Sequence, residues 1–296
     1  MKQSGWLRVA VQVGAEAAET VCELFARYAK GGVVLEQDRA GSEAELVRVS
    51  AYLAEDESLD EKQAKLERGL ASLRLIQAIP DAEYERVAEQ NWMEAWKERF
   101  QPLEVGRRFL VQPAWLEAPR TERLVLRIDP GMAFGTGVHP TTQLSLELME
   151  SVVKRGDSVL DMGSGSGILS FAAEKLGAGQ VLGVEIDGDA IANAEHNAKL
   201  NESGVRFVLG SLQQARASAP EGGFELVVAN IIAPKLLGLI GAGLCELVAA
   251  DGRLLLSGML KGQVGEIEKA LAEQGFVVGK RRERGDWAAL VVNSEQ

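Results

Sequence analysis

The sequence predicts an α/β protein: a doubly wound seven-stranded sheet, mostly parallel with one antiparallel strand, preceded by a small α+β domain of split-βαβ type. Three observations carry that expectation. From residue 139 onwards short apolar runs alternate with amphipathic helical stretches, the rhythm of a parallel sheet covered on both faces. The last two runs are separated only by a brief turn near Gly285, so they form an antiparallel hairpin. The first eighty residues give the order β-α-β-β-α-β.

Taken in chain order, "WLRVAVQVG" reads as a strand, "AEAAETVCELFARYAK" as a helix and "GGVVLEQ" as a second strand. "ELVRVSAYLAED" follows as a strand, "LDEKQAKLERGLASL" as a charged helix and "RLIQAIP" as a short closing strand. Asp81 then caps an expected helix that runs to about Phe100, with Trp92 and Trp96 four apart on one face. Residues 1–80 are therefore expected to form one domain, 81–100 a linker helix and 101–296 a second domain. "QPLEVGRRFLVQPAW" and "ERLVLRI" supply short strands at the start of that second domain. Its main strands are expected at 157–161, 179–185, 205–209, 224–229, 252–257, 275–281 and 287–292, with helices between the first six.

Composition removes several classes of function. No apolar run among the 296 residues approaches the roughly 18 needed for a membrane span. The amino-terminal run leads straight into Glu16 and Glu19, unlike a signal peptide, so a cytoplasmic protein is expected. Two cysteines and two histidines make no plausible metal site. A formal charge of −11 argues against direct nucleic-acid binding, which needs cations against phosphates. Residues 1–100 carry a net −6 and the remaining 196 a net −5, so the first domain is the more acidic per residue. Such a face either keeps the chain soluble or steers a basic partner. No exposed apolar helix stripe demands a partner subunit, and a monomer is expected.

The chemistry concentrates at strand ends, where open α/β sheets bind ligands. In "DSVLDMGSGSGILSFAAEKLG" the first main strand ends in Asp161 and runs through Gly163, Gly165 and Gly167 into a helix. The next strand, "QVLGVEID", ends at Glu185, whose carboxylate can accept hydrogen bonds from ribose hydroxyls. A glycine loop with a ribose carboxylate implies a cofactor that contains a nucleoside. The dinucleotide fingerprint is G-x-G-x-x-G, whereas the spacing here is G-x-G-x-G with Ile168 next, which leaves a dinucleotide as the alternative. Asp161 suits a cofactor with a cationic amino-acid arm, held directly or through water. S-adenosylmethionine has that arm together with its adenosine. Asn230, at the end of "FELVVAN", can accept a hydrogen bond from an incoming amine and aim its lone pair at a methyl carbon. His139, ahead of Pro140, fits either a base for that amine or a helix-opening residue, and His196 reads as surface.

These residues bring a resemblance with them. "DPGMAFGTGVHPTT", "LDMGSGSGILSFAAEKLGA" and "VVANIIAPKL" resemble the three most recognisable segments of the PrmA family, the methyltransferases of bacterial ribosomal protein L-eleven (L11). "NWMEAWKERFQPLEVGRRFLVQPAW" resembles that family's connector. The resemblance implies an amino-terminal substrate-recognition domain, a linker and a class I methyltransferase domain that uses S-adenosylmethionine. It also implies that the loop at 129–142 folds over the cofactor, with Phe134 covering it and Thr142 bonding its polar end. Gly163, Glu185 and Asn230 are the other contacts it carries over; the family often has aspartate where this chain has Glu185. The fourth motif reads N-I-I-A rather than N-P-P-Y, which favours an amine acceptor. The expected reaction is methylation of lysine ε-amines of L11, with an α-amine as a second target. Methylation of another protein or a small amine is the alternative, and a cofactor-binding module without turnover is the non-enzymatic one.

Overall fold

Along the first strand, Gly5–Gly14 (β1), Leu7, Val9, Val11 and Val13 are buried on one face, the period of two that a half-covered strand requires. The computed structural model to which it belongs describes residues 5–26, 28–29, 33–37, 46–56, 58–74, 79–88, 101–117, 119–129 and 137–294. The chain divides into two units, Met1–Phe100 and Gln101–Gln296.

In the first unit β1 is followed by α1 (Ala15–Ala26), β2 (Val33–Gln37), β3 (Leu46–Ala54), α2 (Leu59–Arg74) and β4 (Glu83–Ala88). The sheet order is β2-β3-β1-β4 and every pairing is antiparallel. Val21 and Phe25 of α1 and Leu66 and Leu70 of α2 close over Val9, Val11, Val49 and Leu53. Each such side chain contributes about 1.5–3 kcal/mol by leaving water.

Here two expectations need correction. The closing strand is not "RLIQAIP": Arg74 ends α2, 75–78 lie outside the described residues, and Ile79 and Pro80 are not extended into the sheet. The strand is Glu83–Ala88, inside the stretch expected as a linker helix from residue 81. Its composition favours a helix, but the open edge of β1 takes it up in register from Gly5↔Ala88 to Ala10↔Glu83. Cross-strand pairs reinforce the choice, Arg8 with Glu85 at 3.1 Å and Arg48 with Glu83 at 2.8 Å. The remainder of that expected helix, 89–100, lies outside the described residues.

The second unit opens with a three-stranded sheet, β5 (Leu103–Val105), β6 (Phe109–Pro113) and β7 (Leu124–Ile128). Then come α3 (Pro140–Val152), β8 (Ser158–Met162), α4 (Ile168–Leu176), β9 (Gln180–Glu185), α5 (Gly188–Leu200), β10 (Arg206–Leu209) and α6 (Leu212–Ala217). β11 (Phe224–Asn230), α7 (Ala233–Gly241), β12 (Val248–Leu260), α8 (Val264–Ala272), β13 (Phe276–Arg284) and β14 (Trp287–Ser294) complete it. All seven main strands fall where the sequence predicts them.

Their order is β10-β9-β8-β11-β12-β14-β13, and only the pairings of β14 are antiparallel. The last strand made is thus inserted between two earlier ones. β8 is buried at every position, the continuous apolar reading of a strand covered on both faces. Leu160, Val227 and Leu254 point to one face, against Leu236, Ile240 and Ile267. Val159, Val228 and Leu255 point to the other, against Leu144 and Phe171. From β8 the chain walks outward through β9 and β10, then returns to β11 on the other side of β8. That reversal opens a crevice at the strand ends. Among the described residues no helix is long and apolar enough to cross a membrane, and no cluster could hold a metal ion.

Candidate active site

The crevice begins where β8 stops. Gly163, Gly165 and Gly167 all take left-handed conformations, with φ of 75°, 52° and 83°. At Gly163 a Cβ would also come within 2.9 Å of the Ile231 side chain, which adds crowding to the strain of the positive φ. The loop hangs from β9: Gly163 N–H and Ser164 N–H both donate to the Val184 carbonyl, at 2.8 and 3.2 Å.

Glu185 ends β9 and continues this grip. Its carboxylate accepts from Gly165 N–H at 3.1 Å, Ile186 N–H at 2.7 Å and Asp187 N–H at 3.2 Å. A carboxylate offers about four lone-pair directions, so it has room for one strong hydroxyl contact beyond these three. Glu185 therefore holds the glycine loop and keeps one acceptor direction for a ligand hydroxyl.

On the facing wall Asn230 ends β11. Its Nδ2 donates to Thr142 Oγ1 at 3.3 Å, which fixes the amide plane. Its Oδ1 is buried and accepts no hydrogen bond, and Ser164 Oγ is likewise buried without a partner. Native interiors rarely leave such groups unmet, and both residues line the crevice, where a ligand atom could meet them. Thr142 is itself fully buried in the first turn of α3.

His139 opens α3. Its side chain accepts from Thr141 N–H at 3.3 Å, Nδ1 lies 2.7 Å from Thr141 Oγ1, and Pro140 takes the first helical position. With Nδ1 assigned as the cap acceptor, the neutral ring carries its proton on Nε2 and offers a donor there. Burial also lowers its pKa, and the ring packs edge-on to Trp287 at 4.8 Å. Of the two readings, the helix-opening one describes this geometry. His196 is exposed on α5, with Nε2 3.5 Å from Asp129 Oδ2.

Thr142, Gly163, Gly165, Glu185 and Asn230 line one cavity of about 610 Å³. That is the size class of small-molecule and cofactor sites. Asp161 is not in its wall. It lies buried behind it, where its Oδ2 accepts from Ser170 Oγ of α4 at 2.6 Å. Phe134 lies outside the described residues. Ile186, Ser211 and Trp287 also line the cavity and were not expected. Ile186 is 67% exposed, an apolar surface beside the Glu185 carboxylate. Ser211 follows β10 as the cap of α6, with Gln214 closing the box, so its place at a strand tip was a readable signal. Trp287 had none, because the last hairpin delivers it from far along the chain.

Burial pushes the Asp161 carboxyl up to about 6, against the hydrogen bond from Ser170. A raised carboxyl means that the folded chain binds the extra proton between about pH 4 and its own titration. The corresponding stability is complete below that window and lost as pH rises through about 6. Asp161→Asn, which keeps an acceptor for Ser170, is expected to gain roughly 3 kcal/mol of stability near neutral pH relative to its effect in acid. Urea unfolding of both cofactor-free proteins at the two pH values checks this; an equal difference at both would refute it.

The comparisons with known proteins converge. The profile of the family described as Ribosomal protein L11 methyltransferase (PrmA) matches residues 5–295. A ribosomal protein L11 methyltransferase of Chloroflexus aurantiacus is 38% identical over 98% of this chain and 98% of its own length. One from Herpetosiphon aurantiacus is 36% identical over 96% of this chain and 98% of its own. The crystal structure of a ribosomal protein L11 methylase from Lactobacillus delbrueckii subsp. bulgaricus matches with a TM-score of 0.61 at 36% identity. It covers 67% of this chain and 100% of its own. With the glycine loop, the strand-tip carboxylate and the asparagine in one crevice, this chain belongs to the ribosomal protein L11 methyltransferase family.

Proposed function

We propose that the crevice at the ends of β8, β9 and β11 holds S-adenosylmethionine and that Asn230 Oδ1 receives the substrate amine. The chain belongs to the ribosomal protein L11 methyltransferases, and S-adenosylmethionine as methyl donor with lysine ε-amines as acceptors is the chemistry this reading assigns to it. The observation that carries the site reading is the orphaned, buried Oδ1 of Asn230 in the wall of a cofactor-sized cavity.

When bound, S-adenosylmethionine supplies a methyl group activated by a sulfonium. Glu185 takes a sugar hydroxyl, and Gly163 and Gly165 let the ligand lie against bare backbone. Asp161 acts from behind the wall, where a cation in the cavity would favour its ionised form. Asn230, held by Thr142, accepts an N–H of the amine and directs its lone pair along the line of displacement. A lysine must first lose a proton, which costs on the order of 4–5 kcal/mol at pH 7. Since His139 Nδ1 serves its helix, that proton goes to solvent as the amine enters the dry site.

The first unit, whose sheet runs through β4, is assigned to substrate recognition. Its acidity suits a basic protein substrate, and an α-amine is a second target under the same chemistry. The net charge of −11 supports a reading without direct nucleic-acid contact. The test is intact-mass spectrometry of purified L11 after incubation with this protein and S-adenosylmethionine. One added CH2 per methyl, absent without enzyme, is the expected outcome; an unchanged mass with intact cofactor binding would move the search to other amines.

A further inference from the structure

Asn193 and Asn197 on α5 and Asn201 at its carboxyl-terminal cap recur every fourth residue and so share one face. Asn201 Oδ1 accepts from Arg127 N–H at 2.9 Å, and its Nδ2 donates to the Arg127 carbonyl at 2.6 Å. Asn197 Oδ1 accepts from Asp129 N–H at 2.8 Å, and its Nδ2 donates to the Asp129 carbonyl at 3.2 Å. Asn193 Nδ2 adds a bond to that carbonyl at 3.1 Å. β7 is an edge strand, and edge strands present unpaired amides and carbonyls. Four helical residues rise about 6 Å and two strand residues about 6.6 Å, so the side-chain amides stand in for the peptide groups of a missing neighbour strand.

Asn197 does one thing that Asn201 does not. Its Nδ2 also donates to the Ser166 carbonyl at 3.0 Å, within the glycine loop. It is fully buried, so no water replaces these bonds. One amide thus joins the loop that cradles the cofactor to Asp129, from which the chain leads to His139 and Thr142 on the facing wall. We propose that Asn197 is a positioning residue for methyl transfer, tying the glycine loop to the end of β7 and so fixing the loop's carbonyl side while Glu185 fixes its amide side. This rests on the S-adenosylmethionine reading of the cavity.

Asn201, the cap of the same helix, provides the control, because it is also buried and bonds β7 in the same way. Of Asn197 it touches only the backbone carbonyl, and it does not touch the loop. Asn197→Ala is expected to weaken S-adenosylhomocysteine binding about tenfold, the size of one lost buried hydrogen bond, and to lower kcat on L11 as well. Asn201→Ala is expected to stay within about twofold at a comparable loss of Tm. Calorimetry gives the affinity without requiring turnover, and the serine variants at both positions serve if alanine prevents folding. Equal losses in the two variants at matched Tm overturn the proposal and make Asn197 structural. Wild-type binding without turnover on L11 would instead count against the substrate assignment while the affinity ratio still decides this one.

Discussion

Asn230→Ala is expected to cut turnover on L11 on the order of 100-fold, with S-adenosylhomocysteine affinity changed by less than about threefold. The asymmetry follows from what the side chain touches. Its Nδ2 is spent on Thr142, and its Oδ1 meets nothing else in the protein. Removal therefore leaves the glycine loop and Glu185 in place and takes away the group that aims the amine. A displaced amine loses the alignment that an in-line transfer needs, and a misplacement of about 1 Å is enough for an effect of this size. Asn230→Asp should not rescue it, since a carboxylate there would bind the ammonium form and hold the lone pair in a proton. Single-turnover kinetics beside calorimetry separates the two quantities. Parallel losses in both would mean that Asn230 only braces the end of β11.

Glu185→Ala is expected to do the reverse: on the order of 100-fold weaker cofactor binding, with kcat at saturation within a few-fold of wild type. A hydrogen bond to a charged group contributes about 1.5–3 kcal/mol, and one hydroxyl contact accounts for the effect. Loss of the anchor for Gly165 N–H adds loop freedom in the same direction. Glu185→Asp is the informative companion. Shortened by one methylene, the carboxylate can follow either the sugar or the Gly165 amide, so an intermediate affinity is expected. If alanine leaves affinity intact, the carboxylate is a loop anchor alone.

The catalytic unit was legible because its information is local. Parallel strands buried on both faces read as short apolar runs, and glycines, prolines and caps such as Asp187 and Ser211 punctuate them. The glycine loop, Glu185 and Asn230 were legible for the same reason, each sitting at the end of a strand. β4 was not, because "EYERVA" has the composition of a helix and becomes a strand only where β1 offers an edge. The absence of Asp161 from the cavity wall was equally hidden: its partner Ser170 is nine residues away, and which of the two lies nearer the crevice is a matter of packing. Trp287 and His139 meet across 148 residues of sequence, and no local pattern encodes such a meeting.

That meeting has a consequence for the order of synthesis. β14, the last strand to leave the ribosome, pairs with β12 on one side and β13 on the other, and it carries Trp287 into the cavity. Folding that follows translation proceeds from the amino terminus. A nascent chain can therefore complete β8 to β12, a contiguous five-stranded sheet, and still lack the two strands beyond β12 and the Trp287 part of the cavity lining.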